Sequence, residues 1–334
     1  MADIPTQPKE SKQNNPLDIL VQLVKVGRPI HWVKNFALFA ALIFTGNLFS
    51  KIHLDRVISA FFIFSLATSA TYIFNDILDI KLDRLHPIKR NRPIAAGKLP
   101  VSLAVLELIF IGFLALYWAS RINPLFFLSI AVYLVLQTAY SLVLKNLPII
   151  DILIIASGFV IRVYAGAFVI NAHLSVWFLL CVISAALFLA SGKRRAELSI
   201  LETVGVTRKS LTKYRTDLLN SYVTMFGNAA WMSWALYTFF ESPKASLPVW
   251  LFLAEISRTT TVDKLMMVSI PVVIFGIMRY EALIFEGESE VPEKLILTDK
   301  ALIISIVLWL VLVILILYGG VSSSPHIRYD WVFF

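Results

Sequence analysis

An all-α integral membrane protein, a bundle of about nine transmembrane helices with a cytoplasmic N-terminus, is the fold class that this sequence predicts. Three observations lead there. The 334 residues are 58% hydrophobic and only 16% charged, with a mean hydropathy of +0.77, too apolar for a soluble globule. Apolar runs of roughly 17–25 residues, the length that crosses a bilayer as a helix, recur along the chain. Lys and Arg gather in alternate short loops, the positive-inside pattern.

Taken in order, residues 1–16 are polar and lack an apolar core beside a cleavage site, so they read as a disordered tail and not a signal peptide. Residues 17–320 read as a single transmembrane domain and 321–334 as a short C-terminal tail. The apolar runs lie at 31–50, 57–75, 100–119, 124–142, 148–170, 175–191, 216–240, 266–285 and 300–319. The first has an amphipathic lead-in from Leu17, and the eighth contains Pro271 and Arg279. With the N-terminus inside, most basic residues fall on the inner side. They sit in the leading segment (Lys9, Lys12, Lys25, Arg28), the loop after the second run (Lys81 to Lys98) and the loop after the sixth (Lys193 to Arg215). The expected location is therefore the inner (plasma) membrane, multi-pass, with the polar loops and any site they form facing the cytoplasm. A net charge of +8 is then explained by orientation and by the anionic headgroups of the lipid bilayer, with no nucleic acid partner implied. The single cysteine, Cys181, lies inside an apolar run and allows no intrachain disulfide and no thiol metal site. A homo-oligomer is left open.

Chemistry concentrates between Asn75 and Pro93, where the second apolar run ends. If the helix continues, Asp76, Asp79 and Asp83 are three and four residues apart and share one face. Carboxylates crowded at a helix C-terminus repel each other and oppose the helix dipole, so a cation is expected among them. Hard divalent ions take oxygen ligands, and magnesium commonly combines a few carboxylates with substrate phosphates. The basic residues that follow, Lys89, Arg90, Arg92 and Lys98, suit an anionic substrate. A second polar stretch, Ser191 to Glu202, leaves the sixth run as this one leaves the second. There Lys193, Arg194 and Glu197 give a mixed cationic and acidic helix face. Asp151 and Arg162, eleven residues apart, face the same way about 16 Å apart along a helix. Arg162 lies within a span and calls for a carboxylate partner, with Glu107 the candidate, or for a lipid phosphate.

These residues resemble the UbiA superfamily of intramembrane prenyltransferases, whose Asn-Asp-x-x-Asp-x-x-x-Asp motif is matched by Asn75, Asp76, Asp79 and Asp83. The usual second aspartate motif after the sixth helix is replaced by Gly192-Lys193-Arg194-Arg195-Ala196-Glu197-Leu198. That segment is similar to one branch of the superfamily, the polyprenyl-phosphate (decaprenyl-phosphate) phosphoribosyltransferases. The same branch is echoed by Arg28-Pro29 with Trp32-Val33-Lys34-Asn35, His86-Pro87 with Arg92-Pro93, Tyr140-Ser141 with Leu144-Lys145, Asp151 with Arg162, and Arg279-Tyr280 before Pro292-Glu293.

The resemblance implies a UbiA-like bundle that transfers 5-phosphoribose from 5-phosphoribosyl 1-diphosphate to a membrane polyprenyl phosphate, releasing diphosphate, for cell-envelope glycan precursors. It implies Mg2+ held by Asp76, Asp79, Asp83 and Asn75, which are also the catalytic candidates. The substrate-binding candidates are Lys34, Lys89, Arg92, Tyr140, Lys145, Asp151, Arg162, Lys193, Arg194 and Glu197. Two other functions compete. A prenyltransferase using a prenyl diphosphate would want a second acidic cluster where Lys193 to Arg195 stand. A transporter without chemistry would place its ionisable residues near the bilayer midplane.

Overall fold

The computed structural model describes residues 16–86, 88–204, 214–241, 262–286 and 298–319, and all regular structure among them is helical. The helices are α1 (Pro16–Val26), α2 (Phe39–Phe44), α3 (Lys51–Leu78), α4 (Ile80–Leu85), α5 (Val101–Ile122), α6 (Pro124–Leu142), α7 (Ile150–Val169), α8 (Val176–Val204), α9 (Thr216–Phe240), α10 (Ile270–Glu286) and α11 (Lys300–Tyr318). Short 3-10 segments lie between them. Seven stretches of the described residues are long and apolar enough to span a membrane: α3, α5, α6, α7, the Val176–Leu198 part of α8, Lys264–Glu286 and α11.

Two of the nine expected spans come out differently. The stretch 31–50 is not one helix. A 3-10 segment, Pro29–Leu38, leads into the six-residue α2. The left-handed Arg28 (φ 52°) and Pro29, which has no amide hydrogen to donate, break this stretch from α1. Side-chain bonds from Trp32 and Asn35 to α3 then hold it in place. The stretch 216–240 is a 25-residue helix but falls short in hydropathy, because Asn220, Ser221, Thr224 and Asn228 interrupt its apolar residues. Pro16, expected in the leading tail, opens α1, and the rest of that tail lies outside the described residues. So do the C-terminal tail 321–334, Pro87, and Pro292-Glu293.

The chain divides into two compact units, residues 1–36 with 59–144 and residues 37–58 with 145–334. In the first, Val26 of α1, Ile73 of α3, Ala104 of α5 and the loop residues Ile94 and Leu99 form one buried cluster. Burial of a side chain such as Ile94 or Leu99 stabilises by about 1.5–3 kcal/mol, which anchors the C-terminal part of the basic loop before α5. Phe64 of α3 packs on Tyr133 of α6, ring centres 4.9 Å apart. The exposed faces of α5 and α6 are apolar (Ile109, Phe110, Phe113, Val135), as lipid-facing helices must be.

In the second unit an aromatic core joins Phe44, Phe178, Trp234 and Tyr237. The Tyr318 hydroxyl donates to Ile43 O at 2.5 Å and ties α11 to α2. Gly166 on α7 meets α2's approach directly: a Cβ there would stand 2.0 Å from Leu38 O, so only hydrogen fits. Along α9, Leu219, Val223, Gly227, Ala230, Trp234 and Tyr237 are buried at helical spacing, and its small residues let α8 and α9 pack closely.

Candidate functional site

The first unit carries a polar stripe on α3. Ser65, Ser69, Tyr72 and Asp76 recur at i, i+4, i+7 and i+11, one face of the helix. Each rung engages the segment after α1. Asn35 donates to Ser65 Oγ (2.9 Å), Trp32 Nε1 to Ser69 Oγ (3.0 Å) and Lys34 Nζ to Tyr72 OH (3.5 Å). At the end of the stripe Arg28 pairs with Asp76 Oδ1. The Arg28 guanidinium lies over the Tyr72 ring, 5.0 Å from its centre. Ser69 Oγ also donates to Gly27 O at 2.8 Å, which fixes the turn that aims Arg28.

The acidic motif itself is broken in the middle. α3 ends at Leu78, Asp79 (φ −93°, ψ 8°) stands between the helices without a side-chain capping bond, and α4 restarts at Ile80. Helical hydrogen bonds bridge the break, from Asp79 N to Asn75 O (3.0 Å) and Asp83 N to Asp79 O (2.8 Å). Asp76 and Asp83 are buried, whereas Asn75 and Asp79 are half-buried. Arg92 joins the two buried acids: its Nη1 lies 3.0 Å from Asp76 Oδ1 and 2.5 Å from Asp83 Oδ2. Burial pushes the Asp83 carboxyl above its ordinary range, and Arg92 partly offsets this. Burial and the nearby Arg28 charge lower Arg92 from its ordinary value. Half-buried Lys89 adds a further attraction for Asp83.

Whether a divalent ion suits these residues is decided by what the oxygens have left to offer. Among the described residues no three His, Cys, Asp or Glu side chains converge as a ligand group, so the expected cluster of Asp76, Asp79 and Asp83 around one ion is not assembled. Asp76 Oδ2, however, is buried without a hydrogen-bond partner. Asp83 Oδ2 and Asp76 Oδ1 flank a single nitrogen. A magnesium ion that keeps waters and substrate phosphates needs only one or two carboxylates, so the donor set fits. Asp76 and Asp83 would hold the ion, with Asp79 and Asn75 at the adjoining break.

The second unit holds a more deeply buried network. Arg194 of α8 has no exposed side-chain surface. Its Nε stands 2.7 Å from Asp151 Oδ2, a close ion contact not aligned as a hydrogen bond, and its Nη1 pairs with Glu197. Tyr214 OH donates to Asp151 Oδ1 (2.8 Å) and accepts from Ile149 N (2.5 Å). Ile149 has φ 69°, a conformation that a β-branched residue adopts only under constraint. The phenol bond holds it there, at the start of α7. Burial pushes the Tyr214 phenol up, so it stays a neutral donor. Gly192 lets α8 approach α10, since a Cβ would stand 2.6 Å from Ile284 Cδ1.

Asp151 thus pairs with Arg194 and Tyr214. Arg162 is buried, donates to Gly158 O (2.7 Å) and lies over Phe159, while Glu107 belongs to the first unit, its Oε2 buried without a hydrogen-bond partner. Of the remaining candidates, Lys145 is buried in the second unit, Lys193 is half-buried on α8, and Tyr140 is half-buried at the end of α6. Arg28 and Tyr214 were not among the sequence candidates. Arg28 was signalled by an Arg-Pro break before an apolar run. Tyr214 had no such mark.

Residues 36–254 match the UbiA prenyltransferase family. A decaprenyl-phosphate phosphoribosyltransferase of Corynebacterium glutamicum is 34% identical over 313 residues, 92% of this chain and 90% of that protein. One from Mycobacterium tuberculosis is 33% identical over 92% of this chain and 96% of its own. Among solved structures, a UbiA homolog from Archaeoglobus fulgidus bound to DMAPP and Mg2+ is similar in fold, with a TM-score of 0.64. It is 21% identical, and the match covers 89% of this chain and 99% of that one.

Proposed function

Since the chain belongs to the UbiA prenyltransferase family, we propose that it transfers 5-phosphoribose from 5-phosphoribosyl 1-diphosphate to a polyprenyl phosphate in the bilayer, releasing diphosphate. The observation that carries this reading is the extent of the likeness to the phosphoribosyltransferases, which spans nearly the whole of both chains. The buried Arg194 supports it. A prenyltransferase would want a carboxylate pair after the sixth span, and here a guanidinium locked between Asp151 and Glu197 occupies that place.

The donor is soluble and highly anionic, so it enters from the cytoplasm toward the cations of the first unit, Arg28, Lys34, Lys89 and Arg92. Magnesium, when bound at Asp76 and Asp83, supplies charge neutralisation on the departing diphosphate. The bond from the anomeric carbon to the diphosphate oxygen breaks, its electron pair leaving with diphosphate, and a lipid phosphate oxygen bonds to that carbon from the opposite face. The acceptor oxygen is already anionic near neutral pH, so no residue has to remove a proton. Lys145 and Lys193 remain candidate phosphate-binding residues. Arg194 instead positions Glu197 and the start of α7.

Donor choice tests the reading. Purified protein is offered labelled 5-phosphoribosyl 1-diphosphate or a labelled prenyl diphosphate, each with magnesium and polyprenyl phosphate or an aromatic acceptor. Label from the phosphoribosyl donor should enter the lipid phase. Label entering only from the prenyl donor would replace this reading with a prenyl transfer.

A further inference from the structure

The acidic pair of the first unit is already neutralised by its own chain. Asp76 Oδ1 accepts from both Arg28 and Arg92, which uses both of its lone pairs, and Asp83 Oδ2 accepts from Arg92. The two carboxylates and two guanidinium groups sum to zero charge. A divalent ion added to this quartet would place two further positive charges beside two that are already there, in a site where Asp76 and Asp83 are 2% and 6% exposed. Such an addition is strongly opposed. An ion can be accepted only if a guanidinium leaves.

The geometry points to how that happens. Asp76 Oδ2 is buried and bare of hydrogen bonds, so a metal has one oxygen to bind before anything moves. The second oxygen must come from Arg92, whose single Nη1 holds both acids. Arg92 is 22% exposed and Arg28 is 19%, so both have solvent to move into, in contrast to the acids they cover. Arg92 sits in a loop anchored by buried Ile94 and Leu99, and Arg28 at a turn fixed by Ser69. Their backbones therefore stay while their side chains swing.

We propose that Arg28 and Arg92 are exchangeable occupants of the metal site: they neutralise Asp76 and Asp83 before metal binds, and on metal entry they turn to the anionic donor. The exchange rests on the metal-assisted reading above. It makes metal and donor binding mutually supporting, since each relieves a charge that the other leaves unpaired. Metal alone binds weakly because it must displace a guanidinium with nowhere else to pair.

The test is Mn2+ binding to the full-length protein in detergent without donor, read from the loss of the free-ion paramagnetic signal. Arg92→Gln should bind Mn2+ about tenfold more tightly than the unaltered protein, the factor expected for removing a charge-assisted competitor. Arg28→Gln, which removes one of the two donors on Asp76 Oδ1 and leaves Arg92 in place, should tighten it less. Asp76→Asn should lose the ion. In turnover assays Arg92→Gln should raise the KM for donor, so metal and donor affinities move in opposite directions, which general damage to the site would not produce. Equal or weaker Mn2+ binding by Arg92→Gln, with Asp76→Asn still losing the ion, would overturn the exchange and leave the metal site standing. Unchanged binding in Asp76→Asn would remove the metal site and the exchange together. If Arg92→Gln does not yield folded protein, Arg92→Lys decides by the same criterion, since one ammonium cannot reproduce the guanidinium bridge.

Discussion

Two arginine–carboxylate clusters, one in each unit, use the same side chains for opposite ends. Around Asp76 and Asp83 the guanidinium groups are partly exposed. Around Asp151 the guanidinium of Arg194 is wholly buried, and a tyrosine and a second carboxylate complete the network. The cations of the first arrangement have solvent to move into, and the cation of the second has none. Burial of the cation, more than the pairing itself, distinguishes the two clusters.

Breaking the Asp151 cluster should have the largest effect. Arg194→Ala leaves Asp151 buried and uncompensated, with an expected loss of about 3–5 kcal/mol. Thermal melting in detergent would show it, and Arg194→Ala combined with Asp151→Ala should recover part of the loss. If Arg194→Ala melts normally, the distinction between the clusters fails. The Asp76 cluster should respond in the other observable. Asp76→Asn is expected to lower transfer by about 10²–10³-fold, with a smaller shift in melting than Arg194→Ala. Tyr214→Phe sharpens the contrast inside the Asp151 cluster: it deprives the Ile149 amide and Asp151 of one partner, an expected loss of about 1–3 kcal/mol in stability.

A third pair supplies the exposed limit. Arg279 and Asp299 form a two-point bridge, with distances of 3.2 and 2.7 Å, and Asp299 also caps α11 through Leu302 N. The hydrogen bond from Arg279 holds the Asp299 carboxyl below its ordinary value of 3.8. A depressed carboxylate stabilises the folded state fully above the unfolded value and loses that contribution as the pH falls through the folded one. The melting points of the unaltered protein and Asp299→Asn should therefore differ slightly near neutral pH and converge below about pH 3.8.

Much of the fold was legible in the sequence, because a membrane span announces itself by length and hydropathy. The residues of α5, α6, α7 and α11 could be bounded within about three positions, whereas α3 starts six residues before the expected 57, at Lys51. The stretch 31–50 could not, since hydropathy does not distinguish a continuous helix from a 3-10 segment and a short turn held to α3 by Trp32 and Asn35. The acid motif was visible in the sequence, but its break at Asp79 depends on local backbone geometry, and its counterions depend on contacts across long separations. Arg28 lies 48 residues from Asp76, and no periodicity connects them. Helical spacing sees only one helix at a time: it placed Asp151 and Arg162 on one face about 16 Å apart and gave Asp151 no partner. Its partner, Arg194, is on another helix.

The most direct measurement is transfer of labelled phosphoribose from 5-phosphoribosyl 1-diphosphate into polyprenyl phosphate, by the unaltered protein and by Asp76→Asn, each with and without a chelator. The expected result is labelled lipid from the unaltered protein with magnesium only, abolished by chelator and nearly absent in Asp76→Asn. Label transfer that survives both the chelator and Asp76→Asn would contradict a metal-holding, catalytic role for the Asp76 and Asp83 cluster.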